Sequence, residues 1–282
     1  MYFFGWTLAF VLAVTVGFLA GCSSDKEPEP QSESAGIRFS GGDTAAAWEP
    51  PKEPYKGWKT FTRDNVRVHY PADHPKADLL NDMVKTIGTL LRRDAQFFRM
   101  PVPVDTVEIY YYTGVGHGKG VTGTIYPHVD SVIHQWLPGS YGPLVAGYML
   151  QKWQPGEPKH EFLKHGVMRL LDFSGRNYHE WTIGLIGARK FVPLRELGVD
   201  TVFTIDTDLD RAAEAASFVD YVVFVHGIEA LRTLYVSVDP FDAAVQGVFG
   251  MPVDSVEVRW LDVARRAANL EQMVDSSAAL GK

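Results

Sequence analysis

Two histidines in the second half of the sequence stand close enough together to raise the question of metal binding. The segment His160–His165 reads His-Glu-Phe-Leu-Lys-His, so a carboxylate follows directly after the first imidazole. On a helix, residues four apart share one face, whereas these histidines are five apart and point about 140° away from each other. One metal ion cannot take both. We therefore interpret them as solvated or capping residues near a helix start that follows Pro158.

The remaining histidines leave one catalytic alternative open. His128 and His134 lie in a stretch that reads as strand and could face a metal together with His165. In this alternative, the protein is a metallopeptidase that uses His160, Glu161, His165 and His134, or a hydrolase of another type. It requires these side chains to converge to about 2.0 to 2.2 Å from a common centre. Our primary expectation is that the chain has no catalytic residue, no cofactor and no metal.

Other patterns that can carry chemistry have plainer explanations. Gly118–Gly123 fits G-x-G-x-x-G, but a strand is predicted after it, so no helix N-terminus is available for a phosphate. Acidic residues alternate over Asp206–Asp210 as in a calcium loop, yet Arg211 stands where that loop needs glycine, and helix capping explains them. Tyr110–Tyr112 is typical of strand packing on both faces rather than of a binding platform.

The N-terminus predicts export and lipid modification. Residues 1–21 carry no charge and include a long apolar run, which is followed by Leu19-Ala20-Gly21-Cys22. This tetrapeptide resembles the lipobox of bacterial lipoproteins, which implies that residues 1–21 are a signal peptide and that Cys22 is lipidated. Ser23 follows the cysteine, which is similar to the pattern of lipoproteins that are sorted to the outer membrane. The alternative is an uncleaved transmembrane anchor, since about 20 apolar residues span a bilayer.

Composition separates a tether from a folded domain. Residues 22–54 are rich in Ser, Glu, Pro, Gly and Ala and are predicted to be a flexible, partly acidic tether. Residues 55–282 then form one domain that lacks cysteine, because the chain has a single Cys. This excludes disulfides and thiolate chemistry in the domain. The net charge of -7 argues against a nucleic-acid partner.

Hydrophobic periodicity predicts an α+β domain with a small N-terminal mixed sheet, one long helix and an all-helical C-terminal half. A hairpin is predicted from Lys59–Thr62 and Asn65–Tyr70, and a long helix from Pro75 to Met100. Val104–Thr113 and two short segments within Val121–Trp136 are predicted strands. The predicted helices of the second half are Tyr141–Trp153, His160–Phe173, Asp208–Val225, Gly227–Val236, Asp239–Phe249 and Val253–Leu270.

The order of these elements and several local phrases resemble the peptidase MA-like family of gluzincin zinc metallopeptidases. The phrases that carry the resemblance are Ala216–Tyr221, Gly227, Leu231, Phe249–Gly250 and Val256–Trp260. The family's H-E-x-x-H helix falls on Pro143–Gly147, where neither a ligand nor a base is present. Its third ligand, in a phrase that falls on Phe162–Met168, is replaced by His165. The resemblance therefore implies a gluzincin-like fold without its zinc site.

Three functions follow as expectations. The first is a non-catalytic, lipid-anchored relative of these peptidases that binds a protein or peptide, or acts as a scaffold, at the cell envelope. In the active fold, a cleft between the sheet and the helical half holds an extended peptide by strand pairing, which needs no metal. The second is the enzyme with unusual ligands described above. The third is a structural envelope protein without a ligand cleft, against which an exposed apolar groove would argue.

Overall fold

The first half of the fold is a four-stranded sheet. The structure is a computed structural model that describes residues 57–113, 132–136, 141–199 and 209–280, with side chains as far as residue 269. The strands, in their spatial order, are β1 (Trp58–Arg63), β2 (Val66–Pro71), β3 (Val107–Tyr112) and β4 (Val132–Trp136). β1 and β2 form the predicted antiparallel hairpin, whereas β2, β3 and β4 are parallel. The predicted mixed sheet is confirmed.

One long helix crosses this sheet. A 3-10 turn, Ala77–Leu79, leads directly into α1 (Leu80–Phe97), which connects the parallel strands β2 and β3. Such a connection needs a crossover of this length. Six residues of its predicted apolar face are buried: Leu80, Met83, Val84, Ile87, Leu90 and Leu91. Leu79, which the spacing of three and four also put on this face, lies in the 3-10 turn and is 45% exposed. The helix is shorter than predicted at its C-terminal end because Arg99 adopts a left-handed conformation, φ 51°, which stops it before Pro101.

The second half is helical, as predicted. Its helices are α2 (Tyr141–Trp153), α3 (Glu161–Leu170), α4 (Tyr178–Gly187), α5 (Leu194–Val199), α6 (Leu209–Tyr221), α7 (Ile228–Val236), α8 (Phe241–Phe249) and α9 (Val253–Leu280), with a π-helical segment, Val222–His226, after α6. The bounds of α2 coincide with the prediction. Gly250 ends α8 in a left-handed conformation, φ 68°, as its position in the sequence predicts.

Two helices, α4 and α5, were not predicted. The sequence of α4, YHEWTIGLIG, contains two glycines, β-branched residues and aromatic residues, and these have low helix propensity. The helix is started by the side chain of Asn177, whose oxygen accepts a hydrogen bond from the Glu180 backbone N–H at 3.1 Å. Burial of Tyr178, Thr182 and Leu185 against the rest of the fold then stabilises it. Packing outweighs local propensity here.

A continuous apolar core joins the sheet to the helices. One face of the sheet, with Val68, Ile109 and Ile133, contributes to the same buried cluster as α1, α2, α3 and α6. Helices α3 and α6 pack closely, since a Cβ atom at Gly166 would lie 2.6 Å from the Ala215 carbonyl oxygen. In the described parts of the chain, no helix combines the length and the apolar character needed to cross a bilayer. Cys22 and the predicted tether lie outside the described residues.

Candidate functional site

The helix face that the sequence resemblance assigns to zinc chemistry is apolar. Pro143, Leu144 and Gly147 occupy the positions of the two ligands and the base, and all three are partly exposed on α2. The residues between them, Val145 and Ala146, are fully buried. Positions i, i+1 and i+4 lie on one side of a helix, so this partly exposed side of α2 is one surface. It carries no group that can bind a metal or accept a proton.

The facing helix α3 fills the space beside Gly147. A Cβ atom at Gly147 would lie 3.4 Å from Cε and 3.6 Å from the sulfur of Met168. These are ordinary contact distances, so the thioether packs directly over the glycine where the resemblance would place a histidine ligand. His165, at the third ligand position, is partly buried on the same helix as Met168. We refer to the partly exposed residues around this contact, Leu144, Gly147, His165 and Met168, as the α2/α3 groove.

His134 lies on the opposite side of the sheet from this groove. Side chains alternate along a strand, and Ile133, its neighbour on β4, belongs to the buried core that α2 also contacts. The His134 ring instead stacks on Tyr112, with centroids 5.8 Å apart, and its Nδ1 lies 2.7 Å from the Tyr112 hydroxyl. Burial lowers the pKa of His134 to about 4, so the ring is neutral at physiological pH. It cannot share a metal ion with His165.

His160 occupies the N-cap position of α3, in line with the sequence interpretation, but it is buried rather than solvated. It precedes α3 without a capping hydrogen bond from its side chain, and only 5% of it is exposed. Its Nδ1 lies 3.2 Å from the carbonyl oxygen of Gly198 and its Nε2 lies 3.2 Å from that of Asp239. Burial lowers the pKa of His160, and the two carbonyl oxygens oppose this effect. The ring links three chain segments and has no nitrogen left for a metal.

The described residues therefore do not gather the predicted ligands of the alternative enzyme. His134, His160 and His165 lie in three different environments, and no group of three or more His, Cys, Asp or Glu side chains in the described ranges could hold a metal ion. His128, the Gly118–Gly123 loop, Asp206 and Asp208 lie outside those ranges. Asp210 is in the first turn of α6, where it accepts a hydrogen bond from Trp181 Nε1 at 3.0 Å. The tyrosines of β3 are all buried, as predicted.

Sequence inspection missed a buried polar network between α4, α6 and α9. Trp260 Nε1 donates to Ser217 Oγ at 2.9 Å, and Ser217 Oγ lies 2.8 Å from His179 Nδ1. His179 Nε2 lies 3.0 Å from a carboxylate oxygen of Asp220. The order serine, histidine, aspartate is that of a nucleophilic triad. Ser217 is completely buried, however, so no substrate can reach its hydroxyl, and the network serves to join three helices.

A second polar group lies on the outer face of the sheet. His69 Nε2 and Arg67 Nη1 each lie 2.7 Å from an oxygen of Glu108, and the His69 ring stacks on Tyr110 with centroids 4.8 Å apart. Arg67 and His69 alternate along β2, and Glu108 lies opposite Arg67 on β3. This spacing of opposite charges on two strands is the sequence signal from which the polar group could have been predicted. Arg67 and Glu108 are partly exposed, which makes this an ion pair of modest stabilising effect.

We compared the chain with protein-family models, with curated proteins and with solved structures, and nothing matches it.

Proposed function

We propose that this protein is a lipid-anchored protein of the bacterial cell envelope whose folded domain binds an extended segment of a partner protein without cleaving it. The observation that carries the proposal is the composition of the α2/α3 groove. Leu144, Gly147 and Met168 are apolar, and none of them can activate a water molecule or serve as a zinc ligand. Apolar grooves with a few polar groups are typical sites for peptide side chains.

The neighbourhood of the groove supports an extended ligand. Strand β4, the last strand in the described sheet order, packs against α2, the helix that carries Leu144 and Gly147. An extended peptide can combine main-chain hydrogen bonds to a strand with side chains placed in such a groove. The resemblance to peptidase MA-like proteins supports the same mode of binding. The lipobox-like Leu19–Cys22 supports the location at a membrane.

Site-specific photocrosslinking in the native host tests the binding function. A benzophenone amino acid at Leu144 places the probe in the α2/α3 groove, and the same probe at Val258, which is 67% exposed on α9, is the control. We expect Leu144 adducts to map to one contiguous segment of one partner. Binding of that partner should weaken at least about tenfold in Leu144→Glu, since a charge in an apolar contact costs more than about 1.4 kcal/mol. Val258→Glu should bind normally.

The opposite outcomes are equally definite. Equal adduct yields at positions 144 and 258 would remove the groove from consideration. Cleavage of the crosslinked partner, together with stoichiometric zinc in the protein, would favour the metallopeptidase alternative instead. The anchor has its own test, which is mass spectrometry of the mature N-terminus. We expect diacylglyceryl-modified Cys22, and Cys22→Ser should remain as an uncleaved precursor. An intact N-terminus without lipid in the wild type would contradict the lipoprotein assignment.

A further inference from the structure

An exposed aromatic residue is held in an unusual backbone conformation after α3. Phe173 has φ 62°, in the left-handed region that bulky residues rarely adopt, and 64% of it remains exposed. The burial of its ring therefore does not explain the strain. Residues kept in such conformations occur preferentially at binding and functional sites. The surroundings of Phe173 show what it could bind.

Hydrogen bonds of the residues on either side of Phe173 hold the backbone turn that follows α3. The Asp172 carboxylate accepts a bond from the Ser174 backbone N–H at 2.8 Å and one from the Tyr178 hydroxyl at 2.5 Å. Arg93 Nη2 donates to the Leu171 carbonyl oxygen at 2.6 Å, which ties the turn to α1. The backbone is thus fixed on both sides of Phe173, so the position from which its ring projects into solvent is set before any ligand binds.

Beside Phe173 lies an open groove on α1. Its volume is about 250 Å³, its apolar wall is Phe173, and Lys85, Thr86 and Thr89 form the polar side. Leu90, only 1% exposed, closes its base. We call it the Phe173 groove. Sites for small metabolites usually have about 300 to 1,000 Å³ and enclose most of the ligand. This groove is smaller and open, so it fits one or two side chains of a protein segment.

The rim of the Phe173 groove is cationic. Lys85 is on its wall and Arg92 Nη2 reaches Thr89 Oγ1 at 3.2 Å. The Arg93 guanidinium lies 5.8 Å from the centre of the Phe173 ring, but it is already paired with the buried Asp94 at 2.6 Å. Asp82 pairs with Lys85 at 3.4 Å and is the only exposed carboxylate of the helix between Leu80 and Phe97. The chain as a whole carries a net charge of -7, so the positive charge at this groove is opposite in sign to the net charge of the protein.

We propose that the Phe173 groove binds an acidic segment of a partner protein, with one apolar side chain packed against Phe173 and neighbouring carboxylates facing Lys85 and Arg92. An exposed, preorganised aromatic ring beside arginines is typical of the residues that dominate binding energy at interfaces. The cationic rim selects carboxylates and speeds association. This site lies on α1 and does not depend on the α2/α3 groove.

The test uses the purified full-length protein and a phage-displayed library of random 12-residue peptides. We expect enriched peptides to contain a large apolar residue next to at least two acidic residues. Their affinity, measured by fluorescence anisotropy of synthetic copies, should fall at least tenfold in Phe173→Gly and in Lys85→Glu/Arg92→Glu. It should also fall with rising salt concentration. Glycine is compatible with the left-handed backbone at position 173, so this variant removes the ring without disturbing the turn.

Two controls separate this site from others. Phe224→Ala removes an aromatic ring that is 80% exposed after α6, and Leu144→Glu alters the α2/α3 groove; both should leave the affinity unchanged. The proposal is overturned if no acidic sequence is enriched, if Phe173→Gly binds as the wild type does, or if Phe224→Ala loses as much affinity as Phe173→Gly. Peptides that lose affinity in Leu144→Glu alone would support the α2/α3 groove and not this one.

Discussion

Replacing Asp94 with asparagine should stabilise the protein at high pH far more than at low pH. Asp94 lies on α1 with no part of it exposed, and its Oδ2 has no hydrogen-bond partner among the described residues. Burial raises the pKa of this carboxyl from 3.8 to about 6, although the Arg93 guanidinium opposes the rise. The folded protein therefore binds the proton more tightly than the unfolded chain does. Ionised Asp94 reduces stability above pH 6, and this penalty disappears as the pH falls from about 6 to 3.8.

The magnitude follows from the two pKa values. One pKa unit corresponds to about 1.4 kcal/mol, so ionised Asp94 destabilises the fold by about 3 kcal/mol at pH 8. At pH 4.5 the same linkage leaves a destabilisation of about 1 kcal/mol. Asparagine cannot ionise, and any cost of burying its amide does not depend on pH. The free energy of unfolding of Asp94→Asn, relative to the wild type, should therefore be about 2 kcal/mol more favourable at pH 8 than at pH 4.5.

Urea unfolding followed by tryptophan fluorescence measures this difference, because the chain has 7 Trp residues. Asp82→Asn is the matched control: it removes the same charge from the same helix, but the side chain of Asp82 is 78% exposed. Its effect should stay below about 1 kcal/mol at both pH values. A difference between the two pH values below about 0.5 kcal/mol for Asp94→Asn would refute the reasoning. A difference of opposite sign would mean that the ion pair with Arg93 outweighs burial.

Three further predictions concern the helical half. Ser217→Ala should lower the free energy of unfolding by about 2 kcal/mol, since it leaves Trp260 Nε1 and His179 Nδ1 buried without their shared partner; the exposed Ser255→Ala should have almost no effect in the same urea assay. Gly142→Ala should lower the free energy of unfolding by about 3 kcal/mol, because its Cβ would lie 2.2 Å from the Asp172 carbonyl oxygen. Gly184→Ala is the matched control: its Cβ meets no atom within 4 Å, so the variant should be neutral or more stable by up to about 1 kcal/mol. Comparable thermal midpoints for these two alanine variants would contradict the packing. Elemental analysis of the purified protein should find zinc well below one equivalent, and stoichiometric zinc that His165→Ala abolishes would restore the metallopeptidase alternative.

Helix positions were largely predictable because burial of one face imposes a period of 3.6 residues. In α1 the predicted apolar face is the buried face, and α2 has the predicted bounds. The pattern is weaker where a helix is short or is surrounded by core. This explains why α4 and α5 were missed, since α5 has only 6 residues and α4 combines glycines with β-branched residues.

Polar contacts between distant segments were not predictable from the sequence. His160 was interpreted from its neighbours in the chain, yet its partners are the backbone carbonyls of Gly198 and Asp239, 38 and 79 residues away. Likewise, the left-handed conformation of Phe173 results from hydrogen bonds to its neighbours and from Arg93. Neither environment leaves a local signature, because each depends on how separate elements pack.

The α2/α3 groove was predictable in composition but not in shape. The predicted resemblance puts Pro143, Leu144 and Gly147 at the positions of zinc ligands and base, and these residue types by themselves predict an apolar surface there. The structure adds that the end of the Met168 side chain is in van der Waals contact with this position. That contact depends on the packing of α2 against α3, which local sequence does not specify. The apolar surface is thus contributed by both helices, with Leu144 and Gly147 from α2 and Met168 from α3.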